Sequence, residues 1–222
     1  MQNNIEITIT GCGHIGKLLA RQLQDKAVTV TGYVSSESSL DECRHSNINC
    51  RIIDLDKPLA AIDLSGQRLI YLAPPPHAGK VDTRMSNFLH AIAQQPPERF
   101  VLISTTGVYG NCNGDWIDES APVKPNADRA FRRADAEQQV QQLCQRHDIA
   151  LVILRVPGIY GPGRIPLARI RSGQPIVNRQ DSPFTNRIHA HDLVNVCEKA
   201  LLETGISGIY NVTDGHPGTM YE

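Results

Sequence analysis

Three glycines within six residues give the spacing GxGxxG in Gly11-Cys12-Gly13-His14-Ile15-Gly16. Such a loop can hold a pyrophosphate when a strand leads into it and a helix leaves it. The first glycine permits the tight turn, the second lets the backbone approach the anion, and the third lets helix and strand pack closely. Both flanks have the required pattern. Ile5 to Thr10 alternates apolar and polar residues and turns at the glycines, and helical periodicity follows through Ile15, Leu18, Leu19 and Leu23. The helix N-terminus then presents free N–H groups and a partial positive charge to an anion. The loop therefore reads as a dinucleotide site for NAD or NADP. The end of the second strand should sort the two. NAD enzymes often place a carboxylate there for the ribose hydroxyls, whereas this chain has Val34-Ser35-Ser36 with Glu37 only beyond. Without a carboxylate nothing repels a 2′-phosphate, and two hydroxyls could donate to it. The reading favours NADP, although no arginine stands at the spot.

The elements that must position this loop alternate along the chain. Strand-like runs are Ile5 to Thr10, Ala27 to Val34, Arg51 to Leu55, Leu69 to Ala73, Phe100 to Ser104 and Leu151 to Arg155, the last expected to close the series. Helical patterns follow the glycine loop, run from about Met85 to Ile92, and cover about Ala127 to Arg146. Short, continuously apolar strands alternating with helices predict an α/β fold, a doubly wound parallel sheet of Rossmann type. Residues 1–155 read as the NAD(P)-binding domain. Residues 156–222, rich in Gly, Pro and Arg, read as a smaller region forming the substrate wall.

Composition narrows the function classes. The 222 residues carry a net charge of −1, so no basic field exists to hold nucleic acid or an anionic membrane. No apolar run approaches the roughly 20 residues of a membrane span. Met1-Gln2-Asn3-Asn4 lacks a basic leader region. The six cysteines (Cys12, Cys43, Cys50, Cys112, Cys144, Cys197) form no CxxC pair, and their spacing supports no zinc site. They read as reduced thiols of a cytoplasmic protein. His189-Ala190-His191-Asp192 could place alternate ligands on one side of a strand, but no third ligand cluster accompanies it, and no metal is expected.

Several segments taken in order resemble the extended short-chain dehydrogenase/reductase superfamily, in its NAD-dependent epimerase/dehydratase branch. They are Thr10 to Gly16, Ser104-Thr105-Thr106-Gly107-Val108-Tyr109-Gly110, Leu154 to Gly163, Ile188 to Leu193, and Gly208-Ile209-Tyr210-Asn211-Val212. The resemblance implies NAD(P) lying across the strand ends. It places Asp54 and Leu55 at the adenine, Ala73, Pro74 and Ser104 along the cofactor, and Pro157 and Gly158 at the nicotinamide. It implies a small-molecule substrate, dimerisation through the two long helices of the Rossmann domain, and Asp192 as cap of the helix it precedes. Many relatives continue beyond the position of Glu222, with a stretch that helps cap the substrate.

One departure bears on catalysis. The family uses Ser/Thr, then Tyr and Lys as YxxxK. Thr105 matches the hydroxyl position, but aligning Pro125 and Glu137 puts Arg129 at the tyrosine position and Arg133 at the lysine position. Arginine neither gives nor takes a proton near neutrality. Arg133 could still supply the lysine's charge. Tyr109, Tyr160, His189 and His191 are the candidates for a substitute acid/base, each with packing as the plainer role. Arg155, Arg164, Arg169, Arg171, Arg179 and Arg187 fall in the substrate region. They fit either an anionic, nucleotide-linked substrate or ordinary surface charge. Two functions remain open: an NAD(P)-dependent reductase, epimerase or dehydratase, or a non-catalytic NADP-binding redox sensor.

Overall fold

The computed structural model describes residues 5–162, 171–173, 178, 180 and 182–219. Of the substrate-side arginines, Arg164, Arg169 and Arg179 lie outside the described residues.

Strands β1 (Ile5–Thr10), β2 (Val28–Val34), β3 (Cys50–Ile52), β4 (Arg68–Tyr71), β5 (Arg99–Thr105), β6 (Ala150–Val156) and β10 (Gly208–Asn211) form one sheet in the order β10-β6-β5-β4-β1-β2-β3. Every pairing in it is parallel. Chain order reverses between β1 and β4, so a crevice opens at their carboxyl ends, which is where such sheets bind ligands. The strand set expected from sequence is thus present, with β3 shorter than the run to Leu55. It is not closed by the sixth strand, because β10 adds a seventh beside β6. Two small pairs, β7 (Gly158–Tyr160) with β9 (Arg187–His189) and β8 (Phe184–Thr185) with β11 (Gly218–Thr219), stand beyond the sheet edge.

Alternation along each strand feeds two cores. Ile7, Ile9, Ile70, Val101, Val152 and Leu154 face one side, against α1 (His14–Gln24), α2 (Glu37–His45) and α5 (Ala190–Leu202). Leu69, Tyr71, Phe100, Leu102 and Ile153 face the other, against α3 (Thr83–Ile92) and α4 (Asp128–His147). Both faces are covered, which explains the continuous apolar runs at residues 69–71, 100–103 and 151–154 in the central strands. Helix α1 buries Ile15, Leu19 and Leu23 at four-residue steps, as a helix packing one stripe on a sheet requires.

The segment containing His189 and His191 joins β9 to α5. His189 is the helix cap, its ring nitrogen accepting from the His191 N–H at 3.4 Å. Asp192 sits instead in the first turn, where a carboxylate complements the helix dipole. This corrects the expectation that Asp192 is the cap. Among the described residues no helix is long and apolar enough to cross a membrane.

Candidate functional site

The glycine loop is tied to the end of β2. The N–H groups of Gly11 and Cys12 both donate to the Tyr33 carbonyl, at 3.0 and 2.8 Å. Gly11 has φ +87°, and a Cβ there would stand 2.4 Å from the Ala73 nitrogen, so only glycine fits between the loop and the strand-4 exit. Gly13, by contrast, faces open space: a Cβ built on it meets nothing closer than 4.0 Å. Helices α2 and α3 are capped by the side chains of Ser36 and Asp82, whereas α1 starts after Gly13 with no side-chain cap. The positive end of its dipole thus stands at the glycine loop.

A cleft of about 1030 Å³ runs from this loop across the strand ends. Gly11, Cys12, Gly13, His14, Ile15 and Gly16 form its floor. Ser35, Asp54 and Leu55 line one end, Ala73, Pro74 and Ser104 its length, and Pro157 and Gly158 the other end. Ser36 is not in the lining. Its hydroxyl accepts from the Ser39 N–H at 3.2 Å and donates to the Ser39 hydroxyl at 3.0 Å, because α2 needs a cap. The second serine of the cleft is therefore Ser39. Asp54 pairs with Lys57 at 3.0 Å, and that pairing, with the Asp56 N–H, holds its carboxyl below the usual range. Sequence reasoning missed Arg84, which lines the cleft without belonging to any motif. It grips Asp56 with two nitrogens, at 2.6 and 2.7 Å, and donates to the Pro74 carbonyl at 3.2 Å, bracing two walls together.

At the far end, β5 delivers Thr105 to the cleft. Its oxygen accepts from the Gly107 N–H at 3.1 Å, which caps the turn Thr106–Tyr109 and leaves its hydroxyl proton unspent. Arg129 and Arg133 stand one turn apart on α4, and both line the cleft. Arg129 is exposed. Arg133 is 7% exposed; one terminal nitrogen donates to the Ala73 carbonyl at 3.0 Å, while Nη1 is buried with no hydrogen-bond partner. Burial pulls the Arg133 guanidinium below its ordinary range, opposed by the nearby Asp82. The Nη1 atom is shielded from solvent, and the Asp82 carboxylate nearby bears on its charge.

Tyr109 is not brought into that group. It is 4% exposed and absent from the lining. Its hydroxyl donates to Asn211 and accepts from Arg155, both at 2.8 Å. Arg155 in turn grips Glu137 at 2.7 Å, and Glu137 also accepts from the Ser104 hydroxyl. This buried network ties β5, β6, α4 and β10 together beneath the cleft. Arg155 is consequently no part of a substrate-facing patch. Arg187 is half-buried and donates to the Thr219 carbonyl at 2.9 Å, while Arg171 is exposed.

The glycine loop at the positive end of α1, the open space at Gly13 and the exposed Arg129 suit a group with several phosphate and hydroxyl oxygens, which a dinucleotide has. Comparison with known proteins agrees. The chain is 24% identical over 224 residues to the protein YeeZ of Escherichia coli K12, covering 96% of this chain and 79% of that protein. A structure described as a functionally unknown conserved protein from Silicibacter pomeroyi DSS superposes with a TM-score of 0.76 at 28% identity, over 96% of this chain and 74% of that one. The UDP-glucose 4-epimerase of Thermus thermophilus, solved with NAD, shares the fold with a TM-score of 0.75 at 20% identity, over 97% of this chain and 80% of that one. Residues 7–213 match the family model described as NAD dependent epimerase/dehydratase, and the chain belongs to that family.

Proposed function

We propose that this chain is an NAD(P)-dependent oxidoreductase of epimerase/dehydratase type acting on a small polar, nucleotide-linked substrate, with NADP(H) preferred. The observation that carries the reading is that the glycine loop, Thr105, Arg129 and Arg133 all line one cleft. Bound NAD(P) supplies hydride exchange. The α1 N-terminus and Gly13 would hold its pyrophosphate, and Arg133, which lines the cleft, would lend its positive charge to the bound dinucleotide. Ser35 and Ser39, both in the cleft lining, would take the adenine-side ribose and donate to a 2′-phosphate. Thr105 donates to the reacting substrate oxygen, and Arg129, fixed in its charge near neutrality, stabilises negative charge developing there. Residues 156–222 form the substrate wall, α3 and α4 a dimer face, and the six free thiols suit the cytoplasm.

The test is a panel of sugar nucleotides and carbonyl compounds, followed by NAD(P)H absorbance. Turnover that falls at least tenfold in Arg129→Ala supports the reading. A second reading, a redox sensor without chemistry, is favoured by one observation: Tyr109 is spent in the buried network, and arginine holds the tyrosine position. It predicts no turnover and unequal affinity for the two redox forms, since a ligand shifts an equilibrium only by differential affinity.

A further inference from the structure

Three cysteines far apart in sequence meet where the glycine loop, α2 and β3 come together. Cys12 comes from the loop, Cys43 from α2 and Cys50 from the start of β3. Their sulfurs all lie within 4.8 Å of one another; Cys12 and Cys43 are fully buried and Cys50 is half-buried. Gly32 of β2 makes the room. A Cβ there would stand 2.6 Å from the Cys50 sulfur and 3.1 Å from the Cys12 sulfur, so any side chain would fill the cradle the thiols occupy. We propose that Cys12, Cys43 and Cys50 form a binding site for a single soft metal ion, with monovalent copper the best match.

The geometry decides the class of ion. Three sulfurs around one metal at about 2.3 Å lie roughly 4.0 Å apart when planar with it, which this cluster reaches by a small contraction. Zinc takes four ligands in structural sites, and among the described residues the cluster offers three in a buried setting. Thiolates select copper(I) among the soft ions. Binding forms three metal–sulfur bonds, releases the thiol protons to solvent and leaves the oxidation state of the ion unchanged. Bound metal would fasten α2 and β3 to the glycine loop, so the site sits where it can stiffen the dinucleotide-binding turn.

The experiment is anaerobic titration of the reduced full chain with copper(I) against a chromophoric copper(I) chelator. The expected result is one equivalent retained per chain, lost at least tenfold in Cys43→Ser, Cys50→Ser and Gly32→Ala, and unchanged in Cys112→Ser and Cys197→Ser. Circular dichroism verifies folding, and half-buried Cys50 provides the variant least able to disturb the core. No retained equivalent, or retention unchanged in Cys50→Ser, overturns the proposal, as does zinc(II) held more tightly than copper(I). Cys12 belongs to the glycine loop, so the readout is metal retention by the reduced chain without dinucleotide, and failure of dinucleotide binding leaves this test unaffected.

Discussion

Gly11 and Arg133 are the single residues on which the site depends most. Gly11→Ala would force a left-handed backbone on alanine and drive its Cβ into Ala73. The left-handed conformation alone costs roughly 1–2 kcal/mol. The variant should lose dinucleotide binding and melt several degrees lower, read by titration and by thermal unfolding. Arg133→Ala removes a charged donor. Hydrogen bonds to charged groups are worth about 1.5–3 kcal/mol, so dinucleotide affinity should fall about 10- to 100-fold, measured by calorimetry. Asp82 gives a pH signature. Its carboxyl is buried, and burial raises it above the ordinary 3.8, although the Met85 N–H and Arg133 oppose the rise. The folded chain thus takes this proton more readily than the unfolded chain. The group's stabilisation is full below the unfolded value and is lost as pH rises through the folded value. Asp82→Asn keeps the helix cap and removes this loss, so its stability relative to the parent should improve as pH rises through that window, seen in denaturant midpoints.

Among the elements, the legible ones are those whose residues carry their own pattern. The glycine loop and α1 declare themselves because steric need and apolar stripe lie within one short stretch. Strands β4, β5 and β6 do so because burial on both faces favours continuous apolar runs within them. Helix α2 escapes a reading of the sequence, since only Leu40 and Cys43 of its residues are buried and the rest look like loop. Strand β10 is visible as a motif but not as a sheet member, because its partner β6 is remote in sequence and Tyr210 remains partly exposed. The same blindness to long-range pairing hides the Ser104–Glu137–Arg155–Tyr109 network, which assigns Tyr109 to the interior, and conceals the meeting of three cysteines. The network is what holds α4 against β5 and β6. Arg155 and Glu137 are 3% and 4% exposed, and breaking a buried pair by removing one partner costs about 3–5 kcal/mol. Arg155→Ala should lower the melting temperature by roughly 10 °C, at about 2–4 °C per kcal/mol in a chain of this size. A double change to apolar residues at both positions should recover much of the loss.

At the scale of the molecule, the reversal of strand order between β1 and β4 places one cleft at the carboxyl ends of a seven-stranded sheet. The glycine loop, the serines after β2 and the α4 arginines contribute to it from separate parts of the chain. The most direct test of the account is titration of the purified chain with NADPH, NADP, NADH and NAD, followed by nicotinamide fluorescence and calorimetry. The account predicts one dinucleotide per chain, the phosphorylated forms bound more tightly, and a marked loss of affinity in Arg133→Ala. Absence of binding by all four would contradict it and reduce the glycine loop to a turn between a strand and a helix.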